Sequence, residues 1–364
     1  MTSNTILFVL FQELGVVPDG GDQCNKRNID LVNDICGKDN VEFFYIRKKL
    51  KTTIRESLNF LFYLSRGFYR GITPKIIDSI YEKSQNKNVV FLSSSLFGSI
   101  AKGLRERGYQ GRIITQFHNV ETAYYSVVIT ERLPLKKKII RCISRNEVWA
   151  SMYSDSILAL NQRDATEINK LASHNVDYII PITLEDKFDL RIQNKEFTQS
   201  KPLVTFIGSN FPPNADGVLW FVRNVLPYVN INFLVVGKDM DKLKKENAEL
   251  RNIEVLSNVP DIKKYFLEAD VIVCPIFSGS GMKVKTCEAL MFGKNILGST
   301  EAFEGYELDY DKAGRKADSA QEYIDYLNGI SEKPIPRFND YSRNVYVTKY
   351  SNEVAKDIFK KILV

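Results

Sequence analysis

Long apolar runs are missing from this chain. No stretch of about 18 apolar residues exists, so the sequence offers no helix to span a bilayer. Basic residues are missing ahead of the first apolar segment, MTSNTILFVLFQEL, which Gln12 and Glu13 interrupt. A secretory leader needs a basic start and an unbroken apolar core, so residues 6–11 read as a buried first strand. Paired cysteines are missing too. Cys24, Cys36, Cys142, Cys274 and Cys287 are odd in number, scattered and form no C-x-x-C. That pattern argues against a disulfide framework or structural zinc and for a reducing, cytoplasmic setting. Histidine is scarce, with only His118 and His174. Internal repeats at roughly 20–50 residues and low-complexity tracts are absent.

Net charge is missing from the second half. Residues 1–200 hold 28 Lys+Arg against 22 Asp+Glu, and the remainder holds 22 of each. Within residues 43–150 the imbalance is 20 basic against 7 acidic. A field so concentrated favours an anionic partner: nucleic acid, a phosphorylated substrate or an acidic lipid surface.

What is present is an alternation of short apolar runs and helix-period segments in a chain of 364 residues, too long for one comfortable core. ILFVLF (6–11), VEFFYI (41–46), NVVFLSS (88–94), RIITQF (112–117), SILAL (156–160) and DYIIPI (177–182) predict strands, with helical stretches such as SIAKGLRERG (99–108) between them. The polar stretch 184–202 reads as a linker. The pattern then restarts with LVTFIGS (203–209), INFLVVG, IEVLS, DVIVCPI and KNILGS. The fold class is α/β, with mainly parallel sheets covered on both faces. We expect a first domain over 1–196, a second over 197–345, and a C-terminal helix, 346–364, packing back toward the first. Ligands of such sheets bind beyond the carboxyl ends of the strands, here in a cleft between the halves.

One stretch concentrates the chemistry. FSGSGMKVKTCEALMFGK (277–294) follows the strand DVIVCPI and opens a helix. Free backbone N–H groups and the dipole make such a helix start an anion site. Gly279 and Gly281 allow close backbone approach, Ser280 adds a hydroxyl and Lys283 a mobile cation. Glu288 stands two turns beyond Gly281 on the same face, where a carboxylate can accept from the vicinal hydroxyls of a ribose. The residues alone leave open the plainer alternative, a glycine loop followed by a surface Lys285–Glu288 pair.

The run GSGMKVKTCEALMFGKNILGSTEAFEG (279–305) resembles the donor-binding signature of the retaining glycosyltransferases of family GT4. FIGSNFPPNADGVLWFVRNVLP (206–227), FLVVGKDMDKL (233–243) and LSNVPDIKKYFLEADVIVCP (256–275) are similar to the units that precede it in that family. In the first half, VVPDGGDQCNKRN (16–28) is similar to its glycine loop, and FHNVETAYY (117–125) to its histidine motif. The resemblance covers nearly the whole chain and is most specific over 203–305. It implies a GT-B fold, two Rossmann-like parallel-sheet domains facing a cleft, the first for the acceptor and the second for a nucleotide-sugar. It further implies a metal-independent transfer, without cofactor, from a UDP- or GDP-sugar to a glycan or lipid-diphosphate-linked acceptor, in surface polysaccharide synthesis.

The implied roles follow the matching positions. Glu288 would hold the ribose; Gly208, Gly279, Ser280, Gly281 and Met282 would line the diphosphate; Lys283 and Lys285 would neutralise leaving-group charge. Asn258 and Val259 would meet the base, Gly20 and Gly21 would lie over the diphosphate and sugar, and His118 would face the reacting sugar as the catalytic histidine. Two departures stand out. Ser280 replaces the first glutamate of the family's E-x7-E motif, and the loop FIGSNFPPN lacks the Arg and Lys of many members. Ser280 also sustains a competing reading, a non-catalytic GT-B-like partner that stabilises an active transferase.

Two Asp-x-Asp triplets, Asp239–Asp241 and Asp309–Asp311, are read as helix-start aspartates rather than a metal site. His174 falls at a helix end and reads as solvated. RKKLKTTIRESLNFLFYLSRGFYRG (47–71) and RLPLKKKIIRCISR (132–145) combine lysines and aromatics, which fits either a core with a solvated basic rim or peripheral contact with an anionic membrane. No nucleic-acid-binding module is recognised, so nucleic acid is not expected as a partner.

Overall fold

The computed structural model describes residues 4–13, 20–46, 62–129, 135–171, 175–189, 201–279 and 281–363. The chain divides into two compact units, Met1–Pro181 with Ala355–Val364, and Ile182–Val354.

The first unit is built on β1 (Ile6–Leu10), β2 (Val41–Tyr45), β3 (Val89–Leu92), β4 (Arg112–Gln116), β5 (Ser156–Ala159) and β6 (Tyr178–Ile179). All pair in parallel, in the order β2-β1-β3-β4-β5-β6. β1 and β3 are buried at every position because helices cover both faces, which is why they read as unbroken apolar runs. Alternate residues divide between the faces. Ile6, Phe8 and Leu10 pack with Leu31 and Val32 of the helix Gly20–Cys36; Leu7 and Val9 pack with Ile80 of Pro74–Ser84 and Ile100 of Gly98–Glu106. The helix Pro74–Ser84 starts as its sequence dictates: Thr73 Oγ1 accepts from the Ile76 N–H at 3.3 Å, and Pro74 takes the first turn.

One helix crossing in this unit is fixed by a glycine. A Cβ on Gly98 would lie 1.9 Å from the Asn146 carbonyl oxygen, in the helix Lys136–Tyr153. The Asn146 side chain completes the clasp, accepting from Ser99 N–H at 2.8 Å and donating to Gly67 O at 2.7 Å.

The second unit holds β7 (Leu203–Ile207), β8 (Asn232–Gly237), β9 (Glu254–Ser257), β10 (Val271–Cys274), β11 (Asn295–Gly298) and β12 (Gly314–Lys316), ordered β12-β11-β10-β7-β8-β9, all parallel. Counted from β7, this is the 3-2-1-4-5-6 order of dinucleotide-binding sheets. The three-residue edge strand β12 carries no apolar residue and was not expected from the sequence. The strand order reverses between β1 and β3 in one unit and between β7 and β10 in the other. Those reversals open crevices at the strands' carboxyl ends.

The division falls after Pro181 rather than after residue 196. Ile182 N–H points at Met282 Sδ at 3.5 Å and Leu184 bridges to Ser351, so residues 182–189 count with the second unit. The rest of the expected linker, 190–200, lies outside the described residues. The final helix, Asn352–Leu363, also begins in the second unit, as does the segment 346–351 expected to travel with it. From Ala355 onward it belongs to the first, where Ala355, Phe359 and Ile362 join the cluster around Phe8 and Phe91.

Candidate functional site

In the second unit the crevice of the β7/β10 reversal gathers most of the residues singled out in the sequence. β10 runs out at Cys274, and Gly279 (φ 134°) and Gly281 (φ 68°) turn the chain through backbone angles that side chains resist. The helix Val284–Met291 begins directly after, with Lys283 at its N-cap and no side-chain capping bond. Thr286 N–H turns back to Lys283 O at 3.0 Å, and no side chain caps the N–H groups of Val284 and Lys285 ahead of it, the place where a helix start takes an anion. Ser280 lies outside the described residues.

Gly208 follows β7 and faces this turn. A Cβ there would stand 2.9 Å from Lys285 Nζ and 3.1 Å from Asn214 Nδ2, and a Cβ on Gly237 would meet Gly208 O at 1.7 Å. At Gly237 the obstacle is backbone and only glycine fits; at Gly208 it is the tip of the Lys285 side chain, which a Cβ would displace. The Lys285 ammonium donates to Asn214 Oδ1 and sits 4.4 Å from the centre of the Phe206 ring. Burial, with Lys283 nearby, brings Lys285 down to about 8 despite the opposing influence of Cys274 and Glu288. The amino group thus stands beside the FIGSNFPPN loop, against Gly208 and Asn214.

Glu288 is half-buried, and its carboxylate forms no hydrogen bond or ion pair among the described residues. Burial raises it to about 7, opposed by the charges of Lys187 and Lys285. Lys285 and Glu288 are therefore not the solvated surface pair that the spacing allowed. An ionisable carboxylate without a partner, two turns from an open helix start, is equipped to accept hydrogen bonds from a diol.

Two residues differ from expectation. Lys283 is not a mobile cation: its Nζ donates to Glu301 Oε1 at 2.6 Å and Gly281 O at 2.7 Å, and both side chains of the pair are largely covered. Met282 is buried and its sulfur takes the Ile182 N–H, so its side chain serves packing and only its backbone can meet a ligand. Asn258, exposed after β9, adopts φ 55° and accepts from Asp239 N–H at 3.1 Å, which fixes the loop carrying Val259. Sequence reasoning missed Lys187, Asn214 and Glu301, and no local pattern marks them.

The first unit has its own crevice at the β1/β3 reversal, an open pocket of about 240 Å³ lined by Gln12, Gly21, Arg70, Ser93, His118 and Tyr125 among others. Gly20 and Gly21 form the first turn of the helix Gly20–Cys36 rather than a loop. His118 follows β4, and its Nε2 lies 2.9 Å from Ser93 O and 3.2 Å from Asn25 Oδ1. Both partners accept, so Nε2 carries the proton, while Nδ1 is buried without a hydrogen bond among the described residues.

A cluster of ionisable groups surrounds it. Burial alone would lower His118, but Cys24, Glu121 and the Ser93 carbonyl raise it overall. Burial alone would raise Cys24, yet Arg27, whose Nη2 is 3.2 Å from the sulfur, and His118 hold it at about 7. Glu121 is raised to about 7 by burial, with Glu147 adding to the effect. Glu147 itself caps the helix Glu121–Val128, accepting from Glu121 N–H at 2.6 Å and Thr122 N–H at 3.1 Å. His118 is thus an imidazole whose protonation is set by an internal cluster, at the mouth of a pocket. His174 lies outside the described residues.

The aspartate triplets have other partners. Asp309 caps the short helix after it, accepting from Asp311 N–H at 3.1 Å. Asp241 accepts from Ser257 Oγ at 2.7 Å, and Asp239 occupies an N-cap position without a capping bond. Among the described residues, no group of three His, Cys, Asp or Glu could hold a metal ion.

A family model described as "Glycosyl transferases group 1" matches residues 201–326. No curated protein matches. Among solved structures, the chain is similar to Alr3699/HepE of Anabaena in complex with UDP and glucose, at 12% identity and TM-score 0.68, over 99% of each chain. It is similar to the sucrose-phosphate synthase of Thermosynechococcus elongatus at 12% identity and TM-score 0.74, over 98% of this chain and 97% of that one. It is also similar to a glycosyltransferase of Rickettsia africae at 13% identity and TM-score 0.63, over 100% and 98%. At such identities the structures speak for the fold. The chain has the GT-B fold, and its residues 201–326 match the model of the glycosyl transferases group 1.

Proposed function

We propose that the protein transfers a sugar from a nucleotide-diphosphate donor to a glycan or lipid-linked acceptor. The observation that carries the proposal is the unpartnered Glu288 carboxylate two turns from the open N-terminus of Val284–Met291, with Lys285 beside Gly208. The helix N–H groups and Lys285 would take the diphosphate as charge develops on it, and Glu288 would take the ribose. Charge stabilisation of this kind lowers the barrier to loss of a nucleoside diphosphate without requiring a metal. UDP is the first base to test, because the HepE structure holds UDP. His118 would face the reacting sugar, with attack of the acceptor hydroxyl on the face the diphosphate leaves, which retains configuration. Synthesis of a surface polysaccharide in the cytoplasm is the setting we favour.

Calorimetric titration with UDP and GDP is the test. One nucleotide should bind, and Glu288→Ala should weaken it at least tenfold. Only the ionised carboxylate accepts from both ribose hydroxyls, so affinity should rise with pH through about 7, and Glu288→Gln should remove that limb. Failure of folded protein to bind either nucleotide would favour the non-catalytic partner.

Peripheral membrane contact rests on a smaller surface than the sequence offered. Of the described aromatics, Tyr69 is buried and Phe68 and Tyr63 are half-buried, while Phe62 is half exposed under the Arg66 guanidinium, 4.2 Å from its ring centre. Phe60 and the basic runs 47–51 and 132–134 lie outside the described residues. Co-sedimentation with vesicles rich in anionic lipid at low salt is expected, and protein remaining in the supernatant would count against it.

A further inference from the structure

The first unit's pocket contains a cation with no described partner. Arg70 precedes Gly71 in the segment SRGFYRG, and its own backbone sits at φ 47°, in the left-handed region that non-glycine residues avoid. Its side chain lies beside two rings. The guanidinium carbon lies 5.6 Å from the centre of the Tyr69 ring and 5.7 Å from that of Tyr125, which meet edge to face at 6.3 Å. Contact with ring faces rather than carboxylates leaves a guanidinium's N–H donors unspent. Among the described residues Arg70 makes no hydrogen bond or ion pair, yet it is half-buried and lines the pocket with Gly21, Ser93 and His118. A partly desolvated cation held between two aromatic rings, with its donors unused among the described residues, is a receptor for an anion.

We propose that Arg70 reads a negatively charged group, a phosphate or a carboxylate, on the sugar acceptor. The acids of the same pocket only partly offset it: Asp22 has a partner of its own, and Glu121 feels the charge of Arg70 but forms no ion pair with it, while burial raises its carboxyl to about 7. The donor's diphosphate is matched elsewhere, by the helix start and Lys285 of the second unit, so the charge left for Arg70 belongs to the other substrate. This inference rests on the sugar-transfer reading above and adds the acceptor's chemical class.

The test titrates the full chain, with and without saturating UDP, with glucose 6-phosphate, glucuronate and glucose. One or both anionic sugars should bind at least tenfold more tightly than glucose. Preference for the phosphate would mark a phosphorylated acceptor, and preference for the carboxylate a uronic acid. Arg70→Gln should erase the preference. Arg70→Gly should erase it too while relaxing the backbone, so that its melting temperature is no lower than wild type. Both variants should bind UDP within twofold of wild type, which separates this proposal from the donor site. Equal binding of all three sugars, a preference that survives both substitutions, or a tenfold loss of UDP affinity in them would each overturn it.

Discussion

Lys285→Ala is expected to lower kcat/KM for sugar transfer by about 10²–10³-fold without unfolding the protein. The ammonium lies over the Phe206 ring beside Gly208, in a crevice of the sheet where a diphosphate would sit. Its cost in the empty site is visible in the fall to about 8 that burial imposes. An arriving diphosphate offsets that cost, and the effect grows as negative charge collects on the leaving group. Removing the side chain loses this stabilisation but relieves a buried charge, so stability should hold. In the wild type, activity should fall as pH rises through about 8, because only the protonated amine is useful. Lys283→Ala should cost no more than about tenfold, since Lys283 is tied to Glu301 and Gly281 O. Initial rates with a UDP-sugar, for transfer or for donor hydrolysis, decide the matter. If Lys283→Ala is the more damaging change, the two lysines exchange roles.

Gly98→Ala should destabilise the first unit by about 3 kcal/mol or more. The added Cβ would fall 1.9 Å from Asn146 O and 2.7 Å from Ala150 N, both backbone atoms in the middle of a buried helix. No rotamer relieves such a contact, so the two helices must separate and the Asn146 bonds to Ser99 and Gly67 must stretch. Gly329, in the helix Ala320–Glu332, supplies the control: nothing lies within 4 Å of its would-be Cβ. There alanine should stabilise by about 0.4–1 kcal/mol through lower unfolded-state entropy and better helix propensity. Urea unfolding of both variants separates the outcomes, and a Gly98→Ala midpoint equal to wild type would refute the close crossing.

The strands were legible because burial on both faces leaves continuous apolar runs, as in Ile6–Leu10 and Val271–Cys274. β12 was not, because an edge strand spelled Gly-Arg-Lys carries no such run. The glycine turn after β10 was legible for a local reason: glycines, a strand end and a helix start are neighbours in sequence. What could not be read were partnerships across the fold. Lys283 reaches Glu301 eighteen residues on, Lys285 is fixed by Asn214, and Glu288 feels Lys187. The unpaired Arg70 was hidden for the same reason, since its rings come from two separate segments.

The helix that ends at Leu363 gives synthesis of this protein an awkward order. Phe359 and Ile362 complete the cluster around Phe8 and Phe91, but the ribosome makes all of Ile182–Val354 in between. At about 5–20 residues per second, that interval is roughly ten to thirty seconds. For that time the face of β1 and β3 that carries Phe8 and Phe91 waits without its last cover, while the second unit can already close on itself. The first unit to be translated is therefore the last to be finished, and a nascent-chain chaperone would meet its incompletely covered sheet face rather than the second unit.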